Sequence, residues 1–312
     1  MSGWKGKIPP NQQPQLPGQP DRVTAGKDWF EILPLTVWEL PQADPLEWEL
    51  KRAIGDKGVK RLVKGPCHFA VDPRIGSRHR AEELAKETGG EETQGVSSVF
   101  SPKTASLLLR MYAPKEGVCF DPFAGGGTRA IMAAKHGLDY VGLELRPEGV
   151  KETIARCQAN DVIDKVRIYQ GDAQLCTAIP DNSADFIITC PPYWNLEQYE
   201  GGENDLSMAP TYEAFLEMYR HVIFHTFRIL KPGAVSCWVV GLCRDKDKQL
   251  VPIHHDTARL HKVFGFWMKE EIILYRKGGA ALTRVGTFHK GNHLLLRVHE
   301  YAQIYVKPKG KK

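Results

Sequence analysis

No apolar run in this 312-residue chain approaches the roughly 20 residues that a bilayer span needs, and the N-terminus lacks an apolar signal core. A membrane or secreted protein is therefore not expected, and a cytoplasmic location is. Cysteine is sparse and unpaired: seven residues, an odd count, with no Cys-x-x-Cys. This excludes a disulfide framework and speaks against a zinc site, so no metal is expected. Charge of one sign is also missing, since 42 Lys and Arg stand against 37 Asp and Glu for a formal net charge of +5. Such an excess permits a nucleic-acid partner without demanding one. Hydrophobic content of 42% and charged content of 25% are ordinary for a globular protein. The six-residue Gly-x-Gly-x-x-Gly of dinucleotide enzymes is absent too, because Gly125 and Gly127 are followed by Ala130.

What is present centres on residues 118–144. An apolar run from Val118 to Phe120 ends at Asp121 and passes into Pro122, Phe123 and the glycine turn Gly125 to Gly127. Thr128 then opens an Ala/Ile/Met-rich segment of helical character, and a second apolar run ends at Glu144. Strand, glycine turn, helix, strand is the unit of a nucleotide-binding α/β fold. Glycines let backbone approach a ligand closely, and an acid about twenty residues on suits the two hydroxyls of a ribose. Asp121 before the turn would repel a pyrophosphate and welcome a cation. A nucleoside bearing positive charge fits, and S-adenosylmethionine is the candidate cofactor.

Along the chain, residues 1–26 carry five prolines and read as a flexible tail. Residues 27–95 are dense in Trp and Leu, broken by Pro34, Pro41 and Pro45, with a basic stretch from Lys51 to Lys64. They read as an irregular N-terminal appendage with a surface that could contact phosphate. The main domain is expected over 96–306, followed by a basic tail at 307–312. Seven strands are expected there, at 118–121, 140–144, 166–170, 185–189, 234–240, 266–275 and 301–306. Helices are expected between all of them except the last two, where a loop implies an antiparallel final strand. The fold class is thus α/β and Rossmann-like, with a mostly parallel sheet.

The fourth of these strands ends in Cys190-Pro191-Pro192-Tyr193-Trp194, at the carboxyl edge where such sheets bind ligands. Two prolines fix the backbone and donate nothing, so the carbonyls there act as acceptors. A rigid acceptor followed by an aromatic ring suits a planar base with an exocyclic amine. Holding both amine hydrogens favours a tetrahedral nitrogen and aims its lone pair at the methyl group, with positioning supplying much of the rate. A base within a duplex must be flipped to reach such a pocket.

Together these motifs resemble the DNA methyltransferases that act on the exocyclic amine of adenine (N6) or cytosine (N4). The resemblance covers roughly residues 96–306, with the cofactor motif preceding the catalytic one. It implies contacts to S-adenosylmethionine from Phe100, Pro102, Asp121, Pro122, Phe123, Gly125, Gly127, Thr128, Glu144 and Asp172. It implies catalytic roles for Cys190, Pro191, Pro192 and Tyr193. One departure stands out: the family has Asp, Asn or Ser where this chain has Cys190, and a thiol is a weaker acceptor. Base identity is left open by it.

Arg284, His289 and Lys290 lie in a cationic loop beside the expected pocket and, with Trp194, are candidates for gripping the nucleic acid. The expected partner is duplex DNA, and the chain is read as a monomer or homodimer. Competing readings are an RNA amino-methyltransferase with the same pocket and a degenerate nucleic-acid-binding module.

Overall fold

The computed structural model describes residues 37–39, 100–194, 201–245, 247, 249–275 and 298–310. In chain order the elements are β1 (Val37–Glu39), α1 (Pro102–Tyr112), β2 (Val118–Asp121), α2 (Thr128–His136), β3 (Asp139–Glu144), α3 (Pro147–Gln158), β4 (Val166–Gln170) and β5 (Ala184–Thr189). There follow α4 (Tyr212–Ile229), β6 (Leu230–Val240), the short strands β7 (Cys243–Arg244) and β8 (Leu250–Val251), α5 (Ile253–Val263), β9 (Trp267–Tyr275) and β10 (His299–Val306).

Helix boundaries follow local chemistry. Ser101 caps α1, its Oγ accepting from Thr104 N at 3.1 Å, and Pro102 takes the first helical position. Thr211 caps α4 in the same way, through Ala214 N. Gly137 (φ +120°) ends α2, where a side chain would be strained.

Alternation along the strands builds two cores, one on each face of the sheet. Cys119, Phe186, Ile188, Cys237 and Val239 pack under α1 and α2, while Phe120, Ile187 and Trp238 pack under α4 and α5. Strand order is β1-β9-β10-β6-β5-β2-β3-β4. β4, β3, β2, β5 and β6 run parallel, whereas β10 runs antiparallel between β6 and β9. The expected antiparallel final strand is therefore present, inserted beside β6.

Three features differ from the sequence expectation. An eighth strand, β1, comes from within residues 27–95 and pairs with β9, Val37 opposite Ile273 and Glu39 opposite Tyr275. The sheet thus reaches beyond the expected start at residue 96. No α-helix joins β4 to β5; a short 3-10 turn at Ala173–Leu175 is the only helical piece there. That crossover is fastened by Arg228 of α4, which donates to the carbonyls of Cys176 and Ile179 and pairs with Asp181. β6 starts at Leu230 rather than 234, with Lys231 to Gly233 absorbed in a bulge where Ala184 pairs Leu230 and Phe186 pairs Val235.

Candidate active site

From β2 the chain winds outward through β3 and β4, then returns to lay β5 on the other side of β2. The carboxyl ends of β2 and β5 therefore flank a topological switch point, where a crevice opens in sheets of this kind. The glycine turn follows β2, and the Cys190 to Trp194 stretch follows β5. Thr189 Oγ1 donates to Asp121 Oδ1 at 2.6 Å, so the two motifs are joined by one buried hydrogen bond.

Asp121 closes β2. It is 0% exposed, and protein donors occupy both oxygens. Oδ1 accepts from Phe123 N (3.0 Å) and Thr189, and Oδ2 accepts from Arg129 Nε (2.7 Å) and Tyr140 Oη (2.8 Å). Burial opposes the Arg129 charge, yet Asp121, Tyr140 and Cys190 outweigh it and hold the guanidinium above its ordinary pKa. Burial, with Asp121 next to it, also drives the Tyr140 phenol well above its usual value. A carboxylate so satisfied fastens the turn to α2, β3 and β5.

The glycine turn is pinned from behind. Arg129 and Arg156 donate to the carbonyls of Phe123 and Gly126, Thr153 Oγ1 donates to Gly125 O at 2.7 Å, and Arg156 Nη2 reaches Thr128 Oγ1 at 3.2 Å. Gly125 and Gly127 take φ of +57° and +84°, which L side chains rarely adopt. Among the described residues the space over Gly125 is open: an added methyl would meet only Phe123 O within 4 Å, at 3.8 Å. A nucleoside can therefore approach this backbone, and the residues present fit the cofactor.

Glu144 stands at the tip of β3, with Oε2 accepting from Gly125 N (3.0 Å) and Oε1 from Arg146 N (3.1 Å). Beside it, Asp172 follows β4 and caps the 3-10 turn through Gln174 N at 2.8 Å. Phe100 is half-buried with the Arg129 guanidinium 4.8 Å from its ring centre, and Pro102 and Pro122 are buried. One arginine thus touches the segment before α1, the glycine turn and Asp121.

At the corner after β5, Cys190 is half-exposed. Its Sγ lies 4.0 Å from Pro191 O and 3.8 Å from Tyr193 Oη. Pro191 is buried and Pro192 half-buried. Tyr193 is only 7% exposed, so its ring is largely covered rather than presented as an open platform. Trp194 is likewise engaged by the protein: Nε1 donates to Ala209 O at 2.9 Å, and the ring leans on Tyr212 at 5.4 Å. From it a file of rings runs Tyr212, Phe215, Tyr219, Trp238 and Phe123, with neighbouring centroids 5.4 to 6.5 Å apart. These contacts tie the corner after β5 to the glycine turn, at about 0.5–1.5 kcal/mol per pair beyond burial.

Sequence reading missed Arg129, Tyr140, Thr153, Arg156 and Thr189. A lone arginine in the first turn of an otherwise apolar helix was the available signal for Arg129. Thr153 and Arg156, three residues apart, share a helix face. Arg284, His289 and Lys290 lie outside the described residues.

Sheet order, the switch point and the fastening of the glycine turn to the neighbouring strand define the class of S-adenosylmethionine-dependent methyltransferases. A family model described as DNA methylase (N6 and N4 methyltransferases) matches residues 30–155 and 184–312, and the chain belongs to that family. It is similar to the Type II methyltransferase M.BglII of Bacillus subtilis, 27% identical over 114 residues, covering 36% of this chain and 30% of the relative. To the Type II methyltransferase M.ScaI of Streptomyces caespitosus it is 29% identical over 98 residues, 31% of this chain and 30% of the relative. The alignments thus span about a third of these relatives' length. Among solved structures, a SAM-dependent methyltransferase of Methanosarcina mazei is 14% identical, over 64% of this chain and 97% of its own, with a TM-score of 0.45.

Proposed function

We propose that this chain transfers a methyl group from S-adenosylmethionine to the exocyclic amine of a flipped adenine (N6) or cytosine (N4) in DNA. The observation that carries this reading is the 2.6 Å hydrogen bond from Thr189 to Asp121, which leaves the cofactor turn and the diproline corner on adjacent strands. When bound, S-adenosylmethionine supplies an electrophilic methyl on a sulfonium. Gly125 and Gly127 let its nucleoside lie against the backbone, and Glu144 accepts from the ribose hydroxyls. Asp172 faces the adenine, and Phe100 and Pro102 cover the methionine end.

Pro191 offers its carbonyl to one amine hydrogen of the target base, and Cys190 Sγ stands beside it for the other. Tyr193 supplies the apolar wall on which the base rests, once the base displaces what now covers that ring. Residues 27–95 and the loop bearing Arg284, His289 and Lys290 grip phosphates of the duplex. Among the described residues no helix is long and apolar enough to cross a membrane, and DNA as substrate supports action in the cytoplasm.

The test is transfer of labelled methyl from S-adenosylmethionine to DNA, followed by nucleoside mass spectrometry for N6-methyladenine and N4-methylcytosine. Tyr193→Ala is expected to abolish transfer while leaving cofactor binding in place. Cofactor binding with no transfer to any DNA sinks the reading. The Cys190 thiol and the covered Tyr193 favour a second reading, a binding module without turnover. Activity gained only in Cys190→Ser would select it.

A further inference from the structure

Gly241 follows β6 directly and is buried. Its backbone lies against Tyr193: a methyl on its Cα would stand 3.1 Å from Oη and 3.2 Å from Cε2 and Cζ. Comfortable carbon–carbon contact is roughly 3.5–4.0 Å, so a side chain at 241 would press on the ring. The same Oη lies 3.8 Å from Cys190 Sγ on its other neighbour. A ring shifted away from β6 therefore disturbs both members of the corner after β5.

We infer that Gly241 is a positioning residue for methyl transfer: its missing Cβ lets the Tyr193 ring settle against β6 and fixes the wall that receives the target base. The inference rests on the function proposed above. Gly241 is outside the set of glycines with left-handed φ, so alanine is compatible with the backbone and tests the contact itself. The required shift is a few tenths of an ångström, and misplacement by about 1 Å can cost on the order of a hundredfold.

The experiment compares wild type, Gly241→Ala, Tyr193→Leu and the double variant, by melting temperature and by transfer from tritiated S-adenosylmethionine to unmethylated genomic DNA. Gly241→Ala is expected to lower kcat roughly tenfold, with cofactor affinity changed less than about twofold. Tyr193→Leu removes Oη, Cε2 and Cζ, the three atoms the new methyl would crowd, so stability lost in Gly241→Ala is expected to return in the double variant. A purely structural role would instead move cofactor affinity and melting temperature together, without rescue. Should Gly241→Ala fail to fold, recovery of folding in the double variant still supports the contact, and a double variant that stays unfolded overturns it. Full activity in Gly241→Ala, beside an active wild type, removes the inference alone. A wild-type chain that binds the cofactor and transfers to no DNA removes the proposed function and the inference with it.

Discussion

Replacing Asp121 with asparagine separates two accounts of the acid that precedes the glycine turn. Asn keeps the shape and can still accept from Phe123 N and Thr189 Oγ1. Its amide cannot neutralise Arg129, however, whose Nε lies 2.7 Å from Asp121 Oδ2 with side-chain exposures of 7% and 0%. Removing one partner of such a buried pair strands the other and costs about 3–5 kcal/mol. Because Arg129 keeps the Phe123 carbonyl, the low end of that range is expected. At about 2–4 °C per kcal/mol, melting should fall by roughly 6–12 °C. The double variant Asp121→Asn/Arg129→Met buries no charge, and should return to within about 1–2 kcal/mol of wild type. Denaturant titration of all four proteins yields the coupling, expected at or above about 2 kcal/mol. An acid that mainly attracts the cationic cofactor would behave differently: Asp121→Asn would melt like wild type and lose only cofactor affinity. That result would refute the fastening role.

The other expectations concern the same scaffold. Arg156→Leu withdraws donors from Gly126 O and Thr128 Oγ1. With charged hydrogen bonds worth about 1.5–3 kcal/mol, cofactor affinity should drop on the order of tenfold with kcat nearly kept, and calorimetric titration showing unchanged affinity would count against the pinned turn. Gly127→Ala forces a side chain to φ +84° with Thr153 Cγ2 only 3.1 Å away. It should lose about 1–2 kcal/mol of stability, read by denaturant midpoint. His261 is buried among Trp238, Phe266 and Tyr305, donates Nδ1–H to Thr257 O at 2.7 Å, and has its pKa pushed down to about 3 by burial. Neutral when folded and protonated when unfolded below its ordinary value near 6.5, it contributes stability that is present above pH 6.5 and lost as pH falls toward 3. The slope is about 1.4 kcal/mol per pH unit, and His261→Phe should flatten it in urea titrations between pH 6.5 and 4.

Much of the fold was legible because strand and helix write different periods into the chain. The strand ending at Asp121, the one ending at Glu144 and the one ending at Thr189 lie where alternation and turn residues put them, within a residue or so. Helices α1 and α4 start at Pro102 and Tyr212, behind the caps Ser101 and Thr211. β1 was hidden, since three residues between prolines carry too short a pattern. The crossover after β4 was misjudged because its fastener, Arg228, lies on another element. The glycine turn follows β2 and the diproline corner follows β5 where local chemistry put them, whereas the partners of Asp121 were not legible.

The sequence by itself determined the kind of sheet, the place of its glycine turn, and the family resemblance, since each depends on residues within a few positions of one another. Only the tertiary structure decided that the charge of Asp121 is met by Arg129, Tyr140 and Thr189, and that Gly241 underlies Tyr193. The reason is physical: hydrogen bonds and contacts are short-ranged, so partners up to 68 residues apart along the chain acquire meaning once strand order brings them within about 3 Å.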